Sequence, residues 1–383
     1  MPNSANWVKL KMASRPIIVL ADDLTGASEV GALAHETGLR VMVVTKVPKS
    51  AVEADVLVLD TNTRLASPGR AAERLKRRAA RLRALPHSGV FKKTDSVLRG
   101  PVLAELTACA DAFGFSRTLL IAGNPSLGRT IREGRCLIDG QAIDQTLFAR
   151  DPHHPARSAT VLDLLHAAGR PDVHYCKSKT ALPTHGVIVG EHGTTADTAS
   201  WVLATDKHTL PAGGADFFRA WLQSRIPSRK KPSLGESPAG PALLLHGTTA
   251  TTAGKSALLF NRLRPPAAKR VAQALQQRGA ATVSASSLTL TDPAAPAAIS
   301  AGFNELTLAL SGSKAFRHLL IAGGATAASV LKALGWDRFS VVRVWGPGVV
   351  SLQPHRLAIT VTLKPGSYPW PAGIKRRYPR LFS

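Results

Sequence analysis

The sequence predicts an α/β protein of two domains, each a largely parallel sheet flanked by helices, with a cleft between them. Three observations carry this reading. Short β-branched runs alternate with helical stretches along the chain, a rhythm that builds parallel sheets covered on both faces. A length of 383 residues suits two domains, each with its own core. One stretch, PSRKKPSLGESPAGP at 227–241, is rich in Pro, Ser, Gly and charge and reads as a linker. It separates an N-terminal domain at 15–226 from a C-terminal domain at 242–383, and residues 1–14 read as an extension outside the fold.

The elements follow in order. In the first domain, 16–21 is a strand and 25–37 a helix, and 41–45 and 56–60 are strands. A basic amphipathic helix covers 68–85. A strand at 90–93, a helix at 101–113 and a strand at 118–122 continue the alternation. Asp139-Gly140 is a hairpin signal within 136–143 and marks an antiparallel excursion. A strand at 187–189 and a helix at 195–204 follow. In the second domain 242–246 and 319–322 are strands, and 266–277, 296–310 and 325–334 are helices. Two further strands fall near 341–344 and 357–363.

Composition narrows the function classes. Lys+Arg is 49 against 25 Asp+Glu, a formal net charge of +24. That surplus is either a generally basic surface or an attraction for anions, whether small ligands or nucleic acid. The basic residues are dispersed and aromatics are only 5%, which disfavours base stacking, so nucleic acid is not expected as a partner. The three cysteines, Cys109, Cys136 and Cys176, form no C-x-x-C pair and fit a reducing, cytoplasmic setting. The longest early apolar run is too short for a membrane span, and no membrane partner is expected.

Ligands of open parallel sheets bind beyond the carboxyl ends of the strands. There the first domain places Asp22 and Asp23, then Asp60 and Arg64, then Lys92, Lys93, Asp95, Ser96 and Arg99, then Asn124 and Arg129. Cations can clamp a carboxylate while carboxylates accept from hydroxyls, a mixture suited to a polyhydroxy-acid. One carboxylate could serve as general base. The competing reading is structural, with Asp23 as a helix N-cap. The second domain places glycine turns instead: Gly323-Gly324-Ala325-Thr326, His246-Gly247-Thr248-Thr249, Gly346-Pro347-Gly348 and Lys364-Pro365-Gly366-Ser367. Open N–H groups at such turns make anion sites. Gly254-Lys255-Ser256 is no P-loop, because Thr249 stands where the motif needs Gly, and no G-x-G-x-x-G follows the first strand. Asp151-Pro152-His153-His154 reads as a surface turn rather than a metal site.

These residues resemble the four-carbon acid sugar kinases. Ala21-Asp22-Asp23-Leu24-Thr25-Gly26-Ala27 is similar to the family's opening signature, and Lys93-Thr94-Asp95-Ser96-Val97-Leu98-Arg99-Gly100 to its K-x-D-S-T-L-R-G element. Asp60-Thr61-Asn62-Thr63-Arg64, Gly128-Arg129-Thr130 with Gly134, and Phe148-Ala149-Arg150-Asp151-Pro152 also fit in order. In the second domain Gly323-Gly324-x-Thr326 and Pro347-Gly348-Val349 match more loosely. The chain departs from the family at Ala325, usually acidic, at Gly247-Thr248-Thr249-Ala250 and at Lys364 to Pro369.

The resemblance implies an ATP-dependent kinase of threonate, erythronate or a 3-oxo-tetronate, working with Mg²⁺ as a cytoplasmic enzyme, with a homodimer as the family's assembly. It implies Asp22 or Asp23 as proton acceptor, and substrate contacts from Arg64, Lys93, Asp95, Ser96, Arg99 and Arg129. Nucleotide contacts fall to Thr248, Thr249, Gly323, Gly324, Ala325, Thr326, Gly348 and Gly366. The departures define the alternative: an acid-binding or regulatory relative with a degraded ATP site.

Overall fold

In a computed structural model the described residues are 15–151, 153–177, 182–226, 229, 240–247, 256–261, 264–285, 295–366 and 368–382. The predicted extension and most of the predicted linker lie outside them. The chain divides into two units between Lys230 and Lys231.

The first unit runs β1 (Ile17–Ala21), α1 (Leu24–Glu36), β2 (Val41–Val44), β3 (Val56–Asp60), α2 (Pro68–Arg83), β4 (Gly89–Lys93), α3 (Val102–Phe113) and β5 (Arg117–Ile121). It continues with β6 (Arg129–Arg132), β7 (Arg135–Ile138), β8 (Gln141–Ala142), α4 (Val161–Leu164), β9 (Val173–Cys176), β10 (Gly186–Gly190), α5 (Thr195–Val202), β11 (Thr209–Gly213) and α6 (Ala215–Arg225). The main sheet has the order β2-β3-β1-β4-β11-β5-β10-β9, and each of these pairings is parallel. β1 is buried along its whole length, as continuous apolar strands between two helical layers must be. On one face Ile18, Leu20, Leu57, Leu59 and Val90 pack with Leu75, Ala79 and Leu82 of α2. On the other, Phe91 meets Phe217, Phe218 and Trp221 of α6.

The predicted hairpin forms between β7 and β8, with Ile138 opposite Gln141. Asp139 and Gly140 have φ of 50° and 83°, the paired positive values of a type I′ turn. β6 joins them in a small antiparallel sheet.

The second unit runs β12 (Ala242–His246), β13 (Leu258–Leu259), α7 (Ala268–Arg278), β14 (Ala280–Ser284), α8 (Ala295–Gly312), β15 (His318–Ala322), α9 (Gly324–Ala333), β16 (Arg338–Gly346), β17 (Val349–Pro354), β18 (Thr360–Lys364) and α10 (Ala372–Arg377). Its strands lie in the order β13-β14-β12-β15-β18-β17-β16. The first five are parallel, and β16 and β17 form an antiparallel margin.

The sequence pattern misses the strands β6, β9, β11, β13, β14 and β17 and the helices α4, α6 and α10. β11 reads TLPAG, and a proline and a glycine inside five residues argue against a strand. Burial supplies what propensity lacks: all five residues are buried, and β4 is paired only at Ala212 and Gly213, beyond the proline. Among the described residues, no helix is long and apolar enough to cross a membrane.

Candidate functional site

Each unit has a topological switch, where successive crossovers leave the sheet in opposite directions and their loops part. In the first unit the chain leaves β1 towards β2 and β3, then crosses back to β4 on β1's other side. Asp22-Asp23 follow β1, and Lys93 ends β4 with Thr94-Asp95 directly after it.

Arg64 organises this edge. Its Nε donates to Asp22 Oδ2 at 2.7 Å and its Nη1 to Asp23 Oδ2 at 2.5 Å. Its Nη2 lies 3.6 Å from Asp95 Oδ2. All three nitrogens of a residue expected to clamp substrate therefore face carboxylates of the chain itself. Gly100 makes the approach possible. Its φ is +93°, and a side chain there would meet the Arg64 carbonyl at 3.0 Å.

The two adjacent aspartates differ. Asp23 is the N-cap of α1, its Oδ1 accepting from the Gly26 N–H at 2.6 Å, so both its oxygens are engaged. Burial, aided by the charge of Asp22, raises its pKa against the pull of Arg64. Asp22 is 2% exposed, and its Oδ1 is a buried acceptor with no hydrogen-bond partner. Burial would raise its pKa too, but Arg64, Lys92 and Lys93 outweigh it and hold the carboxyl below its ordinary value. Asp22 thus keeps an ionised oxygen in reserve. Asp60, at the end of β3, is hydrogen-bonded by the Asn62 N–H at 2.7 Å. Burial, reinforced by Asp23 and Asp22, pushes its carboxyl up to about 7.

Neighbours on β4 point to opposite faces, so the two lysines part. Lys92 is fully buried and pairs with Glu105 of α3 at 2.7 Å. Lys93 pairs with Glu29 of α1 at 3.1 Å and donates to the Thr94 carbonyl. Asp95 holds Arg99 by a two-pronged contact: Nε to Oδ1 at 3.2 Å and Nη2 to Oδ2 at 2.8 Å. Burial alone would raise Asp95, but Arg99 and Arg64 keep it well below the usual carboxylate range. The remaining Arg99 nitrogen, Nη1, donates to Asp151 Oδ2 at 3.1 Å. Arg129 Nη1 donates to Ser96 Oγ at 2.7 Å. The Phe148 ring lies within 5.5 Å of the Arg99 guanidinium and 5.8 Å of that of Arg129.

Asp22, Asp23, Arg64, Lys93, Asp95, Ser96, Arg99 and Arg129 thus form a connected edge in one unit. In sequence Phe148, Asp151 and His154 belong to a motif and a surface turn, and the fold brings them to this edge. Asp151 Oδ1 does accept from the N–H groups of His153 and His154, as a turn would have it. Its other oxygen and the His154 ring reach the edge, the latter at the Arg64 carbonyl, 2.9 Å away. The motif F-A-R-D-P was the available signal. Among the described residues no group of three or more His, Cys, Asp or Glu side chains could hold a metal ion.

In the second unit the switch lies between β12 and β15, where the chain leaves β12 towards β14 and later crosses back to β15 on its other side. Gly247 and Gly323 follow these strands. The Gly247 N–H donates to the Ala322 carbonyl at 3.1 Å and the Gly323 N–H to the Lys364 carbonyl at 2.9 Å. A side chain on Gly247 would overlap Thr326 Oγ1 at 2.1 Å, so only glycine lets this loop seat against α9. The first turn of α9, Gly324-Ala325-Thr326, has no capping side chain and no acidic residue. Its N–H groups and the helix dipole favour an anion. The Gly348 turn lies against Pro365 and Tyr368, which brings Gly366 into the same group. Thr248 and Thr249 lie outside the described residues.

A family model described as a sugar-binding N-terminal domain matches residues 17–199, and one described as a nucleotide-binding C-terminal domain matches 248–368. A D-threonate kinase of Salmonella typhimurium is 34% identical over 39% of this chain and 36% of its own length. A D-erythronate kinase of Heliobacterium modesticaldum is 29% identical over 50% of this chain and 45% of its own. These matches take in less than half of each relative. A 3-oxo-tetronate kinase of Brucella melitensis is 24% identical over 91% of this chain and 92% of its own. Solved structures of proteins from Salmonella typhimurium and Haemophilus influenzae share the fold, with TM-scores of 0.78 and 0.72. Their identities are 20% and 18%, and each covers 96% of this chain and 100% of the solved chain.

Proposed function

We propose, since the chain belongs to the four-carbon acid sugar kinase family, that it transfers the terminal phosphate of ATP to a hydroxyl of a four-carbon sugar acid of the threonate, erythronate or 3-oxo-tetronate kind. The observation that carries this reading is Asp22 Oδ1, an ionised, buried acceptor without a partner at the switch point of the sugar-binding unit.

Asp22 accepts the proton of the attacking hydroxyl as its oxygen bonds to the terminal phosphorus and the bond from that phosphorus to ADP breaks. Arg64 fixes the Asp22 carboxylate for this task. Asp23 caps α1 and shares Arg64, so its part is support. The acid's carboxylate is met by Arg129, Ser96 and Lys93, beside Arg99, whose three nitrogens are held by Asp95 and Asp151. Such transfer depends on positioning and charge neutralisation more than on covalent chemistry. In the second unit the open first turn of α9 and the Gly247, Gly348 and Gly366 loops receive the nucleotide phosphates. Magnesium would arrive bound to ATP and would supply charge neutralisation on the phosphates. The reaction belongs in the cytoplasm, which suits three free cysteines.

The test is ATP consumption with Mg²⁺ across a panel of four-carbon aldonates and keto-aldonates, for wild type and Asp22→Asn. Turnover with at least one acid, and a loss of about 10²–10⁴-fold in the variant, is expected. Binding of an acid without any ATP consumption would replace the kinase with a binding protein.

A further inference from the structure

Lys364 ends β18 and is 2% exposed. Its Nζ donates to three carbonyl oxygens of the loop that follows: Pro365 at 2.8 Å, Gly366 at 3.1 Å and Tyr368 at 2.5 Å. An ammonium group has three protons, and each has a carbonyl here. The Trp370 ring centroid lies 5.7 Å away and adds a cation–π contact. A lysine next to a glycine loop would ordinarily be taken for a phosphate ligand. This one is turned inward and already coordinated.

The consequence follows from peptide geometry. In a planar trans peptide the C=O and N–H point in opposite directions. Drawing the Pro365 carbonyl onto Nζ therefore turns the Gly366 N–H away from the cation. The backbone carbonyl of Lys364 itself accepts from the Gly323 N–H at 2.9 Å, which ties the loop's root to the turn that opens α9. A side chain at Gly348 would press on Pro365 and Tyr368 at 3.0 Å, so the hairpin turn leans on the same loop.

We infer that Lys364 is a positioning residue of the nucleotide site: it gathers the carbonyls of Pro365, Gly366 and Tyr368 inward, so that the loop offers an amide hydrogen to a phosphate, and it does not touch the phosphate itself. The inference rests on the nucleotide role proposed for this unit. Burial pulls the Lys364 pKa down to about 8, so the clamp loses its proton just above neutrality. Among the described residues His246, at the end of β12, feels the Lys364 charge, and its own pKa is lowered by burial and by that charge. His246 is therefore neutral in the range where Lys364 titrates.

The test uses the full chain with Lys364→Met and Lys364→Arg. Hydrogen–deuterium exchange is followed over the peptide spanning 365–370, ATP–Mg²⁺ affinity by calorimetry, and sugar-acid affinity as a check that the rest of the chain is intact. In Lys364→Met exchange is faster and ATP affinity falls at least about 10-fold, with acid affinity unchanged. Lys364→Arg does not rescue, because a planar fork cannot satisfy three carbonyls converging on one point. Wild-type ATP affinity weakens between pH 7.5 and 9, and the Met variant shows no such step. Unchanged exchange in Lys364→Met, or wild-type ATP affinity in Lys364→Arg, overturns the inference, the second because charge alone would then suffice. If the wild type binds no ATP, the nucleotide reading itself fails, and the exchange data tell that outcome from a failed clamp.

Discussion

The buried pair Lys92–Glu105 offers a quantitative test of how the first unit is built. Lys92 is 0% and Glu105 1% exposed, with Nζ and Oε2 2.7 Å apart. Lys92 also donates to the Lys93 carbonyl at 2.8 Å. Removing one member leaves the other buried without its partner, which costs about 3–5 kcal/mol. Replacing both by apolar residues of similar volume removes the desolvation penalty along with the attraction, and is often near neutral. The variants are Lys92→Met, Glu105→Leu and the double substitution. At about 2–4 °C per kcal/mol for a unit of this size, each single change should lower the melting temperature of the first unit by roughly 6–20 °C. The double variant should lie within about 2 kcal/mol of wild type, giving a coupling energy well above the 0.5 kcal/mol expected of independent sites. Differential scanning calorimetry, resolving the transition of the first unit from that of the second, reads all four proteins. Single variants that each cost under about 1 kcal/mol, or a double variant as unstable as the sum of the singles, would refute the reasoning.

Other outcomes follow from the same geometry. Asp60 has a folded pKa of about 7, above its ordinary 3.8, so the folded state holds the proton more tightly. Stability from this group is greatest at low pH and falls as pH rises from about 4 to 7; chemical denaturation should show Asp60→Asn gaining on wild type across that window, by at most about 4 kcal/mol, and a constant difference would contradict it. Asp23→Ala should lose a cap worth about 1 kcal/mol and release one Arg64 nitrogen. Its melting temperature therefore falls, while the proton acceptor Asp22 remains; turnover as low as in Asp22→Asn would move the base to Asp23. Gly100→Ala forces a positive φ on alanine and crowds the Arg64 carbonyl, so it should cost more than about 1 kcal/mol and raise the KM for the acid. An unchanged KM would show that the Arg64 and Arg99 loops are independent. Gly247→Ala drives a methyl into Thr326 Oγ1 and should weaken ATP binding while leaving acid binding alone, as parallel titrations would reveal.

Much of this protein is written in local pattern. β1 reads directly from its apolar run, the cap of α1 from Asp23 three residues before Gly26, and the hairpin from Asp139-Gly140, because each is decided by neighbours a few residues apart. Signatures such as D-S-x-L-R-G announce the site for the same reason: residues that act within one loop must be adjacent in the chain. Strands such as β11 and β14 carry no such signature. β11 holds a proline and a glycine, and β14, reading AATVS, carries a weak apolar pattern; both exist because flanking strands and burial outweigh propensity.

The roles of individual charges belonged to the tertiary structure alone. Sequence could place Asp22, Asp23, Arg64 and Asp95 at one sheet edge, but not say that Arg64 would face all three carboxylates, 42 and 41 residues back and 31 ahead. Nor could it say that Asp151 would take the last nitrogen of Arg99 across 52 residues, or that Lys364 would turn inward. Partner choice among buried charges is fixed by distance, burial and the need to satisfy every desolvated group, and these quantities exist only once the chain has folded.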